Sequence, residues 1–360
     1  MNDRSDAVAN WKEAIVASGG ALLRHAIVEV PADSAGWIDS GVDLKAGETV
    51  TLLSAGNVRV SEDPDIHFSG HMFLWRRIGT NGPIAKSAAP TSTFEASSSG
   101  RLMFVAQYPG AWLDETGSFA PDWPRSAASG VLSVAVLVWK EAASEGLAIF
   151  AARDKSGLGS EEHNRFLAPV LPPRGWTHLW RTGETEIYRE QFEATDGRHI
   201  VCRCSADAGI LKYPVDIALD ETTHLAWRWR MLQLPSRVGE DSGPTHDYLS
   251  IAVEFENGLD LTYMWSAALP VGTAFRCPLP WWDKRETHQV VRSGLAELGQ
   301  WRHEDQKILA DYKTAIGGVP PARIVGVWLI AVAALQRGRG ECDYQGIELR
   351  SAGESVMIGP

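Results

Sequence analysis

Alternation with a period of two residues, cut off at short intervals by glycine or proline, limits what this chain can fold into more than any other feature. Val131 to Trp139 sets Leu132, Val134, Val136 and Val138 against Ser133, Ala135, Leu137 and Trp139, the pattern of a strand covered on both sides. Leu225, Trp227, Trp229 and Met231 share one face of a second stretch, with Arg228 and Arg230 on the other. Leu249, Ile251, Val253 and Phe255 alternate with Ser250, Ala252, Glu254 and Glu256. After the turn Asn257-Gly258 a partner carries Leu259, Leu261, Tyr263 and Trp265, which predicts a hairpin. The 34 glycines and 19 prolines punctuate the rest closely enough to favour short strands. Helical periodicity is confined to two places. One is Ala7 to Leu23, through Val8, Trp11 and Ile15; the other is Glu304 to Ile316, through Ile308, Leu309, Tyr312 and Ile316, before Gly317, Gly318, Pro320 and Pro321 end it. Many short strands with few helices predict a mostly β chain of two antiparallel β-sandwiches, with an N-terminal helix and one further short helix.

The length of 360 residues, at roughly 100 to 200 residues per domain, also gives about two domains. Pattern is weakest between Lys140 and Gly183, so the expected division is an N-terminal helix (1–26), a first sandwich (27–140), a linker (141–175), a second sandwich (176–351) and a tail (352–360). A net charge of -11 repels nucleic acid and anionic membrane surfaces. The longest apolar run, Ile324 to Leu335, is well short of the roughly 20 residues that span a bilayer. The first 26 residues lack a basic start followed by an apolar core, and four scattered cysteines, Cys202, Cys204, Cys277 and Cys342, form no CxxC pair. A cytoplasmic protein with reduced thiols is expected. Cys202 and Cys204 fall on one face of a strand, where packing is the ordinary role.

Two resemblances add to this reading. Val28-Glu29-Val30-Pro31-Ala32, Trp37-Ile38-Asp39-Ser40-Gly41-Val42, Leu44-Lys45-Ala46-Gly47-Glu48 and Ser129-Gly130-Val131-Leu132-Ser133-Val134 make the first 140 residues or so similar to the galactophilic bacterial lectin domain. That family implies a small β-sandwich whose calcium ion bridges to sugar hydroxyls. Here Gln107-Tyr108 and Ala127-Ala128 stand where the family pattern has Asn-Asp and paired asparagines, which implies that the calcium site is lost. The second half, from about Trp176 to Leu349, resembles an uncharacterised bacterial family of carbohydrate-binding-module-like jelly rolls. The resemblance is carried by Leu225-Ala226-Trp227-Arg228-Trp229-Arg230, His246-Asp247-Tyr248, Tyr263-Met264-Trp265-Ser266 and Gln300-Trp301. Together they make the expected sandwiches jelly-roll and galactose-binding-like. Relatives in that family carry acids in the last core strand, where this chain reads Leu329-Ile330-Ala331-Val332-Ala333-Ala334.

Fifteen tryptophans supply the candidate ligand contacts. The loop Pro109 to Ser129 brings Trp112, Asp114, Glu115, Phe119, Asp122 and Trp123 to the ligand end of the first sandwich, either as a remodelled pocket or as a packing loop. Its acids leave calcium open, without the regular spacing of a calcium loop. Arg228 and Arg230 either meet Glu254 and Glu256 across neighbouring strands, the favoured reading, or donate into a groove. Trp281 and Trp282 are adjacent, so at least one indole is expected near the surface, with Asp283, Lys284 and Arg285 as polar neighbours. Trp265 completes the ligand-binding set. His67 and His71 have an HxxxH spacing without helical periodicity, so no metal is expected there. No nucleotide, dinucleotide, serine-hydrolase or metalloprotease motif occurs, and no cofactor is expected. The expected function is binding of a glycan, or of a glycosylated or aromatic small molecule. The alternative is a cofactor-independent lyase, cyclase or glycan-processing enzyme with an acid-base pocket between the domains. For that alternative Asp114, Asp122, His246, Asp247 and Asp283 are the candidate catalytic groups, with Glu254 as a further available acid. His246 and Asp247 point apart if they lie on a strand, where a turn-capping Asp is the commoner use. A homo-oligomer stays open.

Overall fold

The computed structural model describes residues 4–120, 127–140 and 142–359. The chain divides into two compact units, 1–170 and 171–360. It is mostly β, and nearly all strand pairing is antiparallel. No helix among the described residues is long and apolar enough to cross a membrane.

The first unit opens with α1 (Arg4–Ala17), shorter at its C-terminal end than the periodicity predicts because Leu22 already begins a strand. Strands β1 (Leu22–Pro31), β2 (Ile38–Leu44), β3 (Thr49–Ala55), β4 (Asn57–Ser61) and β5 (Ile66–Ser69) follow. Then come β6 (Leu74–Ile78), β7 (Ala85–Lys86), β8 (Thr91–Glu95), β9 (Gly100–Ala106) and β10 (Val131–Trp139). They form sheets ordered β1-β10-β3-β8 and β2-β9-β6-β7, with β4-β5 as a separate hairpin. β10 is covered on both faces, as its alternation predicts. Leu53, Ala135, Leu137 and Trp139 pack against the fully buried Trp11 of α1.

Residues 141–175, expected as a linker, instead hold α2 (Ala143–Ala151) and α3 (Leu158–Leu167). Leu147 and Phe150 of α2 join the cluster around Trp11. Gly146 is required there, because a Cβ would sit 2.2 Å from the Trp139 ring. The Asp154 carboxylate accepts from Ser156 N and Gly159 N at 3.0 and 2.8 Å and so turns the chain into α3. With only Gly159 and Glu162 buried in α3, no apolar stripe marked it in advance.

The second unit contains β11 (Thr177–His178), β12 (Tyr188–Glu193), β13 (Gly197–Ser205), β14 (Ala208–Ala218), β15 (His224–Gln233), β16 (Tyr248–Phe255) and β17 (Asp260–Ser266). Continuing along the chain are β18 (Ala274–Arg276), β19 (Glu286–Ser293), β20 (Trp301–Lys307), β21 (Arg323–Val332), β22 (Arg339–Ser351) and β23 (Glu354–Ile358). A seven-stranded sheet, β11-β14-β21-β16-β17-β19-β18, faces a six-stranded one, β12-β13-β22-β15-β20 with β23 beside β22. The predicted hairpin is β16-β17, with Ile251 opposite Tyr263 and Gly258 at φ 79 in the turn. β17 and β19 are parallel, an exception in an otherwise antiparallel sandwich. The tail 352–360 carries β23. The second predicted helix shrinks to α4 (Ile308–Asp311) and one π turn, since Glu304–Lys307 belongs to β20.

Between the sheets lies one continuous core in which Trp227, Trp229, Tyr263, Trp265 and Tyr344 are sealed. Trp227 and Trp229 meet edge to face at 5.5 Å. Cys202, Cys204 and Cys342 are buried free thiols in this core.

Candidate ligand-binding site

Within each unit, the described residues among those singled out from the sequence do not converge on one place. Trp112 is fully buried in the first unit, against Trp37, Trp75 and Phe119 at centroid distances of 5.9, 5.2 and 5.6 Å. Asp114 is exposed in a turn, where the hydroxyls and backbone of Thr116 and Ser118 hold its carboxyl down to about 2. Asp122 and Trp123 lie outside the described residues. Trp265 is sealed in the second unit's core and donates to the Gly294 carbonyl at 2.9 Å. Asp247 is also buried and accepts from Leu335 N and Gln336 N, the turn-capping use. Asp283 is exposed.

Arg228 and Arg230 face outward from β15, opposite Trp227 and Trp229, but not toward Glu254 and Glu256. Glu254 extends from β16, in the other sheet, and Glu256 follows it in the turn. Arg230 instead pairs with Asp343 and Asp196, both at 2.8 Å, and Arg228 donates to Gln345 at 3.2 Å. Both guanidiniums sit over the half-buried Trp301 ring at 5.2 and 4.9 Å from its centroid. The arginines therefore cap that indole and are engaged with their own sheet.

His67 and His71 sit on different elements, β5 and a short turn after it. His67 lies 3.4 Å from Asp65, and His71 Nδ1 hydrogen-bonds Ser69 Oγ at 2.9 Å. A cleft of about 550 Å³ in the first unit is lined by residues such as Ser54, Asn57, Ser69 and Pro90, with no aromatic side chain to offer a platform.

The outer face of the seven-stranded sheet is different. Strand register places Gly326, Glu254, Asp260 and Glu286 in one row across β21, β16, β17 and β19, and Lys212 on β14, opposite Trp328, reaches into it from the next pair along. Lys212 Nζ donates to Glu254 Oε2 at 2.6 Å, and the buried Trp328 indole donates to the same oxygen at 3.2 Å. Gly326 makes room for this, since a Cβ there would lie 2.9 Å from Glu254 Oε2. Arg285 lies 3.6 Å from Glu254 Oε1 and 3.5 Å from Asp260 Oδ2, over the faces of Trp282 and Trp328. Asp260 is fully buried, and burial beside Glu286 pushes its carboxyl well above the usual range.

At the rim of this row Trp282 turns inward, 6% exposed, while Trp281 stays half-buried at φ 75, a backbone conformation that costs of order 1–3 kcal/mol for a non-glycine residue. Alternate faces for two adjacent indoles are what strand geometry requires, and the positive φ achieves the same split in a turn. Arg181 lies 4.5 Å from the centroid of the half-buried Trp180 ring and 5.9 Å from that of Trp281; Lys284 lies 5.8 Å from Trp281. Burial and the nearby Arg285 charge lower the Arg181 pKa, with Glu254 opposing. Trp180 and Arg181 were not among the sequence candidates; their two-residue signal, an aromatic followed by a cation, is too common to stand out.

Beyond this row, three donors of a metal-binding kind come together. His246, Cys277 and His288 are buried, with one ligand atom from each within 4.8 Å of the others. His246, expected as an acid-base candidate, is sealed here, and burial with His288 nearby holds its imidazole down to about 3.

Residues 175–348 match the family described as "Protein of unknown function (DUF3047)". No curated protein matches. Solved structures similar to the chain include the EclA N-terminal domain, a PllA-like lectin (20% identity, 33% of this chain and 98% of that one, TM-score 0.25). Another is the xyloglucanase domain of NopAA, a type three effector from Sinorhizobium fredii, in complex with cellobiose (7% identity, 51% and 92% covered, TM-score 0.30). A third is TmCBM61 in complex with beta-1,4-galactotriose (10% identity, 50% and 91% covered, TM-score 0.26).

Proposed function

We propose that this is a cytoplasmic glycan-binding protein whose second unit holds a sugar against Trp281, with an acidic sugar as the favoured class. The observation that carries the reading is Trp281 itself, a half-exposed indole in a strained turn with cations on its flanks. An indole face buries the axial C–H surface of a pyranose, and guanidinium forks donate to hydroxyls or a carboxylate. Arg181 and Lys284 beside Trp281, with Arg285 over Trp282, are the cations that favour an acidic sugar, although the whole chain carries -11. What supports the cytoplasmic part is that Cys202 and Cys342, opposite one another on β13 and β22, are free thiols.

A catalytic reading has less support. Glycosidic cleavage needs two carboxyls reachable by substrate. In this row Asp260 and Glu286 are sealed, which leaves Glu254, itself bound to Lys212.

The test is calorimetric titration of the full chain with neutral and uronic-acid-containing oligosaccharides, in wild type and Trp281→Ala. The expected result is binding of an acidic oligosaccharide that weakens at least about tenfold in the variant, equivalent to about 1.4 kcal/mol. Equal affinity in both proteins refutes the site.

A further inference from the structure

We propose that His246, Cys277, His288 and Glu286 form a structural zinc site at the base of the loop that carries Trp281 and Trp282. The four come from three separate segments: the turn before β16, the residue after β18, and β19. All are buried, at 2% exposure or less.

The geometry is close to what a tetrahedral ion requires. Zinc bonds of about 2.0–2.3 Å to nitrogen, oxygen and sulfur place neighbouring ligand atoms about 3.3–3.7 Å apart. Cys277 Sγ lies 3.4 Å from His246 Nε2, and Glu286 Oε1 lies 3.6 Å from His288 Nε2. Two opposite edges of the tetrahedron are thus present, and the 4.8 Å span of the His246, Cys277 and His288 donors asks for a contraction of roughly an ångström.

The hydrogen bonding around the group points the same way. His246 Nδ1 bonds the Glu240 backbone carbonyl, which fixes its proton there and leaves the Nε2 lone pair aimed at Cys277, the usual outer support of a zinc-bound histidine. Glu286 Oε1 accepts from the Tyr248 hydroxyl at 2.9 Å and from Thr262 at 3.2 Å, the corresponding support for a ligating carboxylate. His288 supplies the independent observation. Its ring is fully buried between Phe275 and His246, and neither nitrogen has a hydrogen-bond partner. An imidazole sealed without a hydrogen bond costs free energy; the Glu286 oxygen, 3.6 Å from Nε2, is too far to supply one, and a metal bond at Nε2 removes that cost there. On binding, the Cys277 S–H bond breaks, sulfur bonds to the ion, and the proton leaves to solvent. The mixed nitrogen, sulfur and oxygen set suits zinc. With four protein donors the site is closed and its role is to pin the segment between Cys277 and Glu286, whose ends already meet through Cys277 N to Glu286 O at 3.1 Å.

The experiment uses the full chain, stripped of metal and titrated with cobalt(II), then with zinc. The expected result is one equivalent of cobalt with an intense thiolate-to-cobalt charge-transfer band, displaced by zinc, and loss of that band in Cys277→Ser. Zinc affinity in Cys277→Ser and His288→Gln is expected to fall by more than the roughly 10–100-fold that loss of an outer-shell partner costs. Should a variant not fold, X-ray absorption of the zinc-loaded wild type decides: one sulfur and three nitrogen or oxygen neighbours are expected. Absence of stoichiometric cobalt, a band that persists in Cys277→Ser, or a sulfur-free zinc shell overturns the proposal. No sugar enters the experiment, so its failure leaves the glycan reading separately testable.

Discussion

Asp343 gives a quantitative handle on why Arg230 is a structural residue. Its carboxylate is 1% exposed and meets two guanidiniums, Arg203 at 2.8 Å and Arg230 at 2.8 Å, which are 28% and 20% exposed. With either arginine replaced by methionine the other still compensates the charge, so each single change is expected to cost about 1–2 kcal/mol, below the full value of a lost hydrogen bond to a charged group because solvent screens these partly exposed guanidiniums. Removing both strands a buried carboxylate, for which about 3–5 kcal/mol is expected, beyond the sum of modest single losses. For a unit of this size each kcal/mol lowers the melting temperature by about 2–4 °C. Calorimetric melting of Arg203→Met, Arg230→Met and the double variant reads this out, with drops of about 2–8 °C for the singles and up to about 20 °C for the pair. A double variant whose melting drop is no larger than the sum of the two single drops refutes the compensation argument. Binding of the acidic oligosaccharide by Arg230→Met is expected to match wild type.

Two further outcomes are expected. Asp247→Ala removes the acceptor of two part-buried N–H groups, of Leu335 and Gln336, and is expected to destabilise the second unit by about 1–3 kcal/mol without changing sugar affinity; unchanged melting would show that water takes over both bonds. Added calcium is expected to leave the melting temperature unchanged, since Gln107 donates to Ala111 O and is 2% exposed, where the lectin pattern has a ligand. Calcium at a hundred times its dissociation constant would stabilise by about 2.7 kcal/mol, so a rise in melting temperature contradicts the loss of the site.

Strand patterning was legible because one property, the face a side chain occupies, repeats every second residue. Trp227 and Trp229 go inward and Arg228 and Arg230 outward as read, and the hairpin at Asn257-Gly258 forms in the register its alternation demands. The partners of those arginines were not legible, because that needs to know which sheet each strand joins. Glu254 and Arg230 extend from different sheets, whereas Asp343 arrives from β22, far along the chain. Helix α3 escaped notice because it buries a glycine and a glutamate instead of an apolar stripe. Trp281 could be foreseen from the clash of two adjacent indoles. Lys212, Arg181 and the convergence of His246, Cys277 and His288 could not, since register across five strands and the loops between them brings these residues together.

A structure of the full chain crystallised with a uronic-acid-containing oligosaccharide tests the central claim most directly. The expected result is a sugar ring lying flat on the Trp281 indole with its carboxylate toward Arg181 or Arg285. A sugar bound instead in the first unit, or on Trp301 with the Trp281 turn bare, contradicts it.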